Sequence, residues 1–162
     1  MIRALSPDEC RQTMARLPHG RLAVVTDQGP YAVPMLFAVQ AASLALYALP
    51  GRLLTALRGH PLGVVVEFDW IESPARWVSV LATGAFEERS RQELEAPLLA
   101  ALAASGAFFA RVAQEQVRQP QAAFGRIVLA QVSGRAADRD GSHAFVTHSI
   151  TNADSTLQLG KT

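Results

Sequence analysis

One cysteine stands in the 162 residues, and that scarcity is the first constraint. Cys10 alone excludes an internal disulfide and any multi-cysteine zinc site. Lysine is as rare: of fifteen basic residues only Lys161 is a lysine, and the formal net charge is +1. So even a balance supplies no basic stripe of the kind that grips nucleic acid or an anionic membrane. No run approaches the ~20 apolar residues of a membrane-spanning helix. The first residues lack a continuous apolar core and carry Asp8, Glu9 and Arg11, unlike a secretory leader. These absences lead to the expectation of a soluble, cytoplasmic protein with no nucleic-acid or membrane partner. Repeats, low-complexity segments and a glycine-rich dinucleotide fingerprint are also missing; "GRLAVV" has neither the glycine spacing nor the following helix.

Apolar residues, by contrast, are plentiful: 49% of the chain is hydrophobic and 18% charged, with a mean hydropathy of +0.14. A chain of this length buries roughly 68–70% of its surface on folding, enough for a real core. The apolar excess then calls for a subunit interface or a ligand cleft. The pattern predicts one domain over residues 1–140 and a polar, turn-rich tail over 141–162.

Periodicity supplies the elements. Ser6, Pro7 and Glu9 form a capping box ahead of a helix that should end near Leu17. Cys10, Met14 and Leu17 share one face of it, so the cysteine reads as a small buried hydrophobe. "GRLAVVTDQGPYAVPMLFAV" reads as a hairpin turning at Asp27-Gln28-Gly29. Both faces of its second strand are apolar and both are expected to be covered; Pro34 marks an edge or bulge. "SLALYAL" is a third strand. A short helix follows over Leu53–Arg58, then strands in "HPLGVVVEFDWIE" and "WVSVLATGAFEE". Residues 90–119 are helical, with a second capping box at Ser90 and Glu93 and a kink or restart at Pro97. "GRIVLAQVSGRAA" closes the set as a sixth strand, and a further short strand is expected at Ala144–His148. Six short, hairpin-linked strands predict a mainly β fold with helices, a small antiparallel barrel.

The chemistry sits in "YALPGRLLTALRGHP", where a strand hands over to a helix. A helix start exposes unpaired N–H groups and the positive end of a macrodipole, a natural seat for an anion. Gly51 allows close approach to the backbone, and Arg52 adds a forked, permanently charged donor set suited to phosphate. The same residues also fit a plain turn with a solvated arginine. Histidines offer little: His19 and His60 read as loop or capping residues, and on a strand His143 and His148 would face opposite ways. No metal site is expected.

Four segments in register, "GRLAVVTDQGPYAVPMLFAV", "LYALPGRLLTALRGHP", "VVVEFDW" and "WVSVLATGAFEE", resemble the FMN-binding split-barrel superfamily. The likeness is to its pyridoxamine 5′-phosphate oxidase-like branch, which includes nitroimidazole-resistance proteins. It runs from Leu5 to Glu88, and "GRIVLAQVSGRA" resembles the closing strand. The resemblance implies a six-stranded antiparallel split β-barrel with Greek-key connections, a homodimer with FMN in two clefts at the interface. It implies that Val33, Pro34, Met35, Leu36 and Phe37 lie along the flavin. Tyr47, Ala48 and Leu49 would run beside the ribityl chain, and Gly51, Arg52 and Leu53 would form the phosphate turn. Trp77 and Ser79 would line the far side of the cleft or the partner's site.

Three positions depart from that pattern. Relatives carry a lysine where Leu53 stands, nitroimidazole-resistance proteins often carry a histidine where Tyr47 stands, and Leu36-Phe37-Ala38 lacks the basic residue of true pyridoxamine phosphate oxidases. The expectation is therefore an FMN-binding protein, a flavin-dependent oxidoreductase using a reduced nicotinamide and a small organic acceptor. The alternative is a carrier or sensor of a flavin, deazaflavin or haem without turnover. Pyridoxamine phosphate oxidation is not expected, and no catalytic side chain is singled out.

Overall fold

The computed structural model describes residues 1–17, 19–104 and 107–137, the side chains of 107–110 and 112 excepted. The tail and the strand expected at Ala144–His148 lie outside the described residues. The elements run β1 (Ile2–Ala4), α1 (Pro7–Arg16), β2 (His19–Thr26), β3 (Gly29–Leu36), β4 (Ala38–Val39) and β5 (Ser43–Ala48). They continue with α2 (Arg52–Gly59), β6 (Val64–Ser73), β7 (Arg76–Arg89), α3 (Arg91–Ala104), α4 (Ala107–Val117) and β8 (Ala123–Ala137).

All ladders are antiparallel. The sheet order is β3-β2-β6-β7-β8-β5-β4, with β1 beside the second half of β8. Strands β3 and β4 are the two ends of that order, yet only Phe37 separates them in the chain. The sheet must therefore curl until its edges meet, and no ladder joins them: the barrel is closed by the chain and split in its hydrogen bonding. The long β8 holds the barrel together, pairing with β7 along most of its length and with β5 and β1 on its other side.

One core fills the barrel. Leu22, Val24, Leu44, Leu46, Val64, Val66, Phe68, Val80 and Ile127 alternate inward from their strands, as period-2 patterning requires, and Phe37 sits against Phe68 at 5.6 Å between ring centroids. Helices α1 and α2 cap this core with Cys10, Met14, Ala56 and Leu57. A second cluster lies outside the barrel wall, where Leu94, Leu98, Leu102, Ala113 and Val117 of the α3–α4 pair cover Ala45, Tyr47 and Phe124. Arg91 ties that pair down. It donates to the carbonyls of Val117 (2.8 Å) and Gln119 (2.6 Å) just where α4 runs out of intrahelical donors, and its guanidinium lies 4.7 Å over Phe124.

Several expectations need correction. Among the described residues there are eight strands, not six; β1 and β4 have three and two residues, too few for a periodic signal. The helical stretch is two helices, and α3 runs through Pro97 to Ala104 rather than restarting there. Ser90 does accept from the Glu93 N–H (3.3 Å). Within one chain the outer face of β3 is exposed at Ala32 and Pro34. The first capping box stands as expected, with Glu9 N–H donating to Ser6 Oγ (3.3 Å) and Ser6 N–H to Glu9 Oε2 (2.7 Å).

Two outcomes follow. Gly84 lies at a register shift between β7 and β8, and a Cβ there would stand 2.1 Å from the Val128 carbonyl oxygen. Gly84→Ala should cost at least about 2 kcal/mol by urea unfolding, with an unchanged m value. The Glu9 carboxyl is lowered from 4.5 to about 2, chiefly by the Ser6 N–H and then by Arg3. A depressed folded-state value means its contribution is fully present above pH 4.5 and is lost as pH falls toward 2. The stability gap between wild type and Glu9→Gln should therefore close across that window in acid titrations followed by circular dichroism.

Candidate functional site

Helix α2 begins without a side-chain cap: Gly51 is its N-cap, and no acidic residue lies in its first turn. Its leading N–H groups thus keep their partial positive charge. The two arginines of the helix have different fates. Arg58, near the C-terminal end, is held in a forked contact by Glu88 (2.6 and 2.9 Å), which lowers the Glu88 carboxyl. Arg52 is exposed and, among the described residues, forms no ion pair; its guanidinium lies 4.4 Å from the centroid of the Tyr31 ring on β3. Leu53, expected at the phosphate turn, packs its side chain against the barrel core. Gly51 is exposed.

The neighbouring edge of β3 has its own chemistry. The Leu5 N–H bonds the Gly134 carbonyl (2.9 Å), which fixes the sense of alternation in β8. Carried across the registers of β7, β6 and β2, it makes Gly29, Tyr31, Val33 and Met35 the residues that bond to β2. Pro30, Ala32, Pro34 and Leu36 then direct their main-chain groups to the open edge. Prolines fit there because they have no N–H to lose, and they leave only the N–H groups of Ala32 and Leu36 among a row of carbonyls. Pro34 marks an edge, as its place in the sequence suggested.

The remaining expected residues separate. Met35 packs on the barrel core and Leu36 on the outer cluster; Val33 is half-buried. Phe37 is buried inside the barrel, so only its main chain can meet a ligand. Tyr47 and Ala48 are buried. The Tyr47 ring faces the outer helices, its hydroxyl donating to Gln116 Oε1 (2.9 Å), and burial pushes its pKa up. Leu49 is half-buried. Trp77 and Ser79 lie on the face of β7 opposite the core, beside Ile71 and Asp69. Three strand spacings, about 14 Å along the sheet, part them from β3.

Other candidates resolve simply. Burial raises the Cys10 pKa, which keeps the thiol protonated and inert. His60 is the C-cap of α2, its N–H donating to the Ala56 carbonyl (2.8 Å), as expected. His19 is exposed at the start of β2 rather than in a loop. Among the described residues no group of three metal-ligating side chains converges. Two partners escaped the sequence reading, Tyr31 under Arg52 and Gln116 on Tyr47; both depend on contacts between distant segments that no local spacing encodes.

A curled antiparallel barrel with an uncapped, cationic helix start at its open edge defines the class of protein. The model of the pyridoxamine 5′-phosphate oxidase family matches residues 6–136, and the chain belongs to that family. It is similar to the crystal structure of an FAD-binding protein from Mesorhizobium loti, at 28% identity and a TM-score of 0.71 over 86% of this chain and 98% of that one. It shares its fold with a candidate 5-nitroimidazole antibiotic resistance protein from Bacteroides thetaiotaomicron, at 14% identity and a TM-score of 0.64 over 84% and 89% of the two chains. An uncharacterised curated protein of Rhizobium meliloti (strain 1021) is 31% identical over 87 residues, 54% of this chain. The match spans 57% of that relative's length.

The buried phenol gives a direct test. Tyr47→Phe removes one hydrogen bond and leaves the Gln116 amide half-buried, so it should lower the unfolding free energy by about 1 kcal/mol, read from denaturant midpoints.

Proposed function

We propose that this chain binds a flavin, FMN, as a homodimer, and serves as an oxidoreductase for a small organic acceptor with a reduced nicotinamide as donor. The observation that carries the proposal is the start of α2: an uncapped helix end with an arginine that forms no ion pair among the described residues, set beside an open strand edge. The fit to a phosphate-bearing ligand is good, since no carboxylate lies in the first turn to compete. Arg52 and the leading N–H groups of α2 would hold the phosphate. The main-chain groups of Ala32, Pro34 and Leu36 at the open edge of β3 would meet the polar rim of the ring. Bound flavin would supply the hydride or electron transfer itself, while the protein contributes orientation and exclusion of water.

The partner copy enters through the exposed outer face of the sheet. Val25, Ile71 and Leu81 are 69%, 70% and 46% exposed there, beside Ala32 and Pro34. A second copy on this face would bury the apolar excess and could bring Trp77 and Ser79 of one protomer toward the α2 start of the other. Family membership does not carry pyridoxamine phosphate oxidation with it. Phe37 and Ala38 are buried, so the segment that carries a cation in those enzymes offers none here.

A second reading, flavin carriage or sensing without turnover, is favoured by Tyr47 and Leu53. The residues that stand where nitroimidazole-resistance proteins often carry a histidine and where relatives carry a lysine are turned into packing, so neither Tyr47 nor Leu53 supplies a cation or an imidazole to the junction. The two readings divide on one preparation. Purified protein should be yellow and dimeric by light scattering, and acid-released cofactor should run as FMN rather than FAD. Anaerobic NADH or NADPH should bleach an oxidoreductase and leave a carrier coloured. A deazaflavin or haem would declare itself in the same spectrum. Arg52→Ala should weaken FMN binding by about 1.5–3 kcal/mol, roughly tenfold to a hundredfold. Protein that stays colourless and takes up no added FMN refutes the proposal.

A further inference from the structure

We infer that Tyr31 is a positioning residue that holds the Arg52 guanidinium ready for the ligand's phosphate group; this rests on the reading of the α2 start given above. Tyr31 lies on the edge strand with part of its ring packed against the barrel core, and Arg52 lies across the ring at 4.4 Å. The ring therefore packs against the core while carrying a cation over it. Contact with a ring face need not engage any of the five N–H donors of a guanidinium. An arginine held over a ring has no carboxylate competing for its donors, and it gives up rotamer freedom before the anion arrives, which reduces the entropy lost on binding. Arg52 has no carboxylate partner among the described residues, so nothing but this ring is seen to hold it. Neither residue's chemistry is consumed by the contact: the phenol is a support, and the guanidinium remains the group that touches phosphate.

The experiment titrates FMN and riboflavin into wild type, Tyr31→Phe, Tyr31→Trp, Tyr31→Leu, Arg52→Ala and the Tyr31→Leu/Arg52→Ala double variant. Riboflavin has the same ring and ribityl chain without phosphate, so the ratio of the two affinities isolates the phosphate seat. Tyr31→Leu should shrink that ratio by about 2–5-fold, the value of an exposed cation–π contact, with riboflavin affinity unchanged. Tyr31→Phe and Tyr31→Trp should preserve the ratio, because each keeps a ring face. Tyr31→Leu should add nothing in the Arg52→Ala background. A ratio that survives Tyr31→Leu, falls in the aromatic variants alike, or falls additively in the double variant overturns the inference while leaving the phosphate seat intact. A ratio unmoved by Arg52→Ala, or a wild type that takes up no FMN, shows instead that the seat itself is misplaced, and the inference falls with it. Should Tyr31→Leu fail to fold, Tyr31→Phe and Tyr31→Trp decide the matter on their own, since loss of the ratio in either refutes a role for the ring face.

Discussion

Between Leu36, the last residue of one sheet edge, and Ala38, the first of the other, the chain has only Phe37 with which to cross. That covalent constraint is stronger than any ladder in the molecule. Consecutive residues lie about 3.8 Å apart, so the two ends of the strand order cannot separate, and the sheet between them has to curl. Phe37 points inward at the seam and packs against Phe68, where burial of its ring supplies what missing hydrogen bonds do not. The rest of the architecture follows. The inside fills with one core, α1 and α2 cap it, and the outer wall at β5 and β8 needs separate cover, which α3 and α4 provide.

A seam closed by a side chain rather than by main-chain pairing leaves polar groups unpaired along β3. Such an edge is a liability for aggregation, and two devices blunt it. Pro30 and Pro34 remove N–H donors from the open side, and only Ala32 and Leu36 retain theirs. The edge therefore repels another strand yet still offers a sparse set of donors and acceptors. A planar, heteroatom-rimmed ligand could use such a set; a continuous β-strand could not.

The sequence displayed those parts of the fold whose signal is local. The capping box at Ser6 and Glu9, the hairpin between β2 and β3 and the alternation of Val64, Val66 and Phe68 each depend on residues a few positions apart, and each is present in the structure. The turn is one residue shorter than the Asp27-Gln28-Gly29 loop expected, since Gly29 already pairs with Thr26. Two strands were too short to read, because three and two residues complete no period. Pro97 does not restart the helix: packing of Leu94, Leu98 and Leu102 against the barrel wall outweighs the hydrogen bond that a proline removes. The helix start at Gly51-Arg52 was legible from its residue types. Its surroundings were not, since Tyr31 lies twenty-one residues upstream of Arg52 in number and reaches it only through the curl of the sheet.

Helix α2 breaks a local rule, and the break is informative. Cations favour the C-terminal end of a helix and disfavour the N-terminal end, by about 0.3–1 kcal/mol at exposed positions. Arg58 obeys, and Glu88 neutralises it. Arg52 does the opposite: it places a permanent positive charge on the positive end of the dipole, in a first turn with no acidic residue to offset it and behind a glycine that supplies no cap. Each of these choices costs a little stability, and a serine or aspartate cap with a neutral first turn would avoid all of them. Together they build one thing, a concentration of positive potential at the rim of the barrel. Local rules are broken in concert where a site needs something other than stability, and this is the physical ground on which the proposed function seats an anion here.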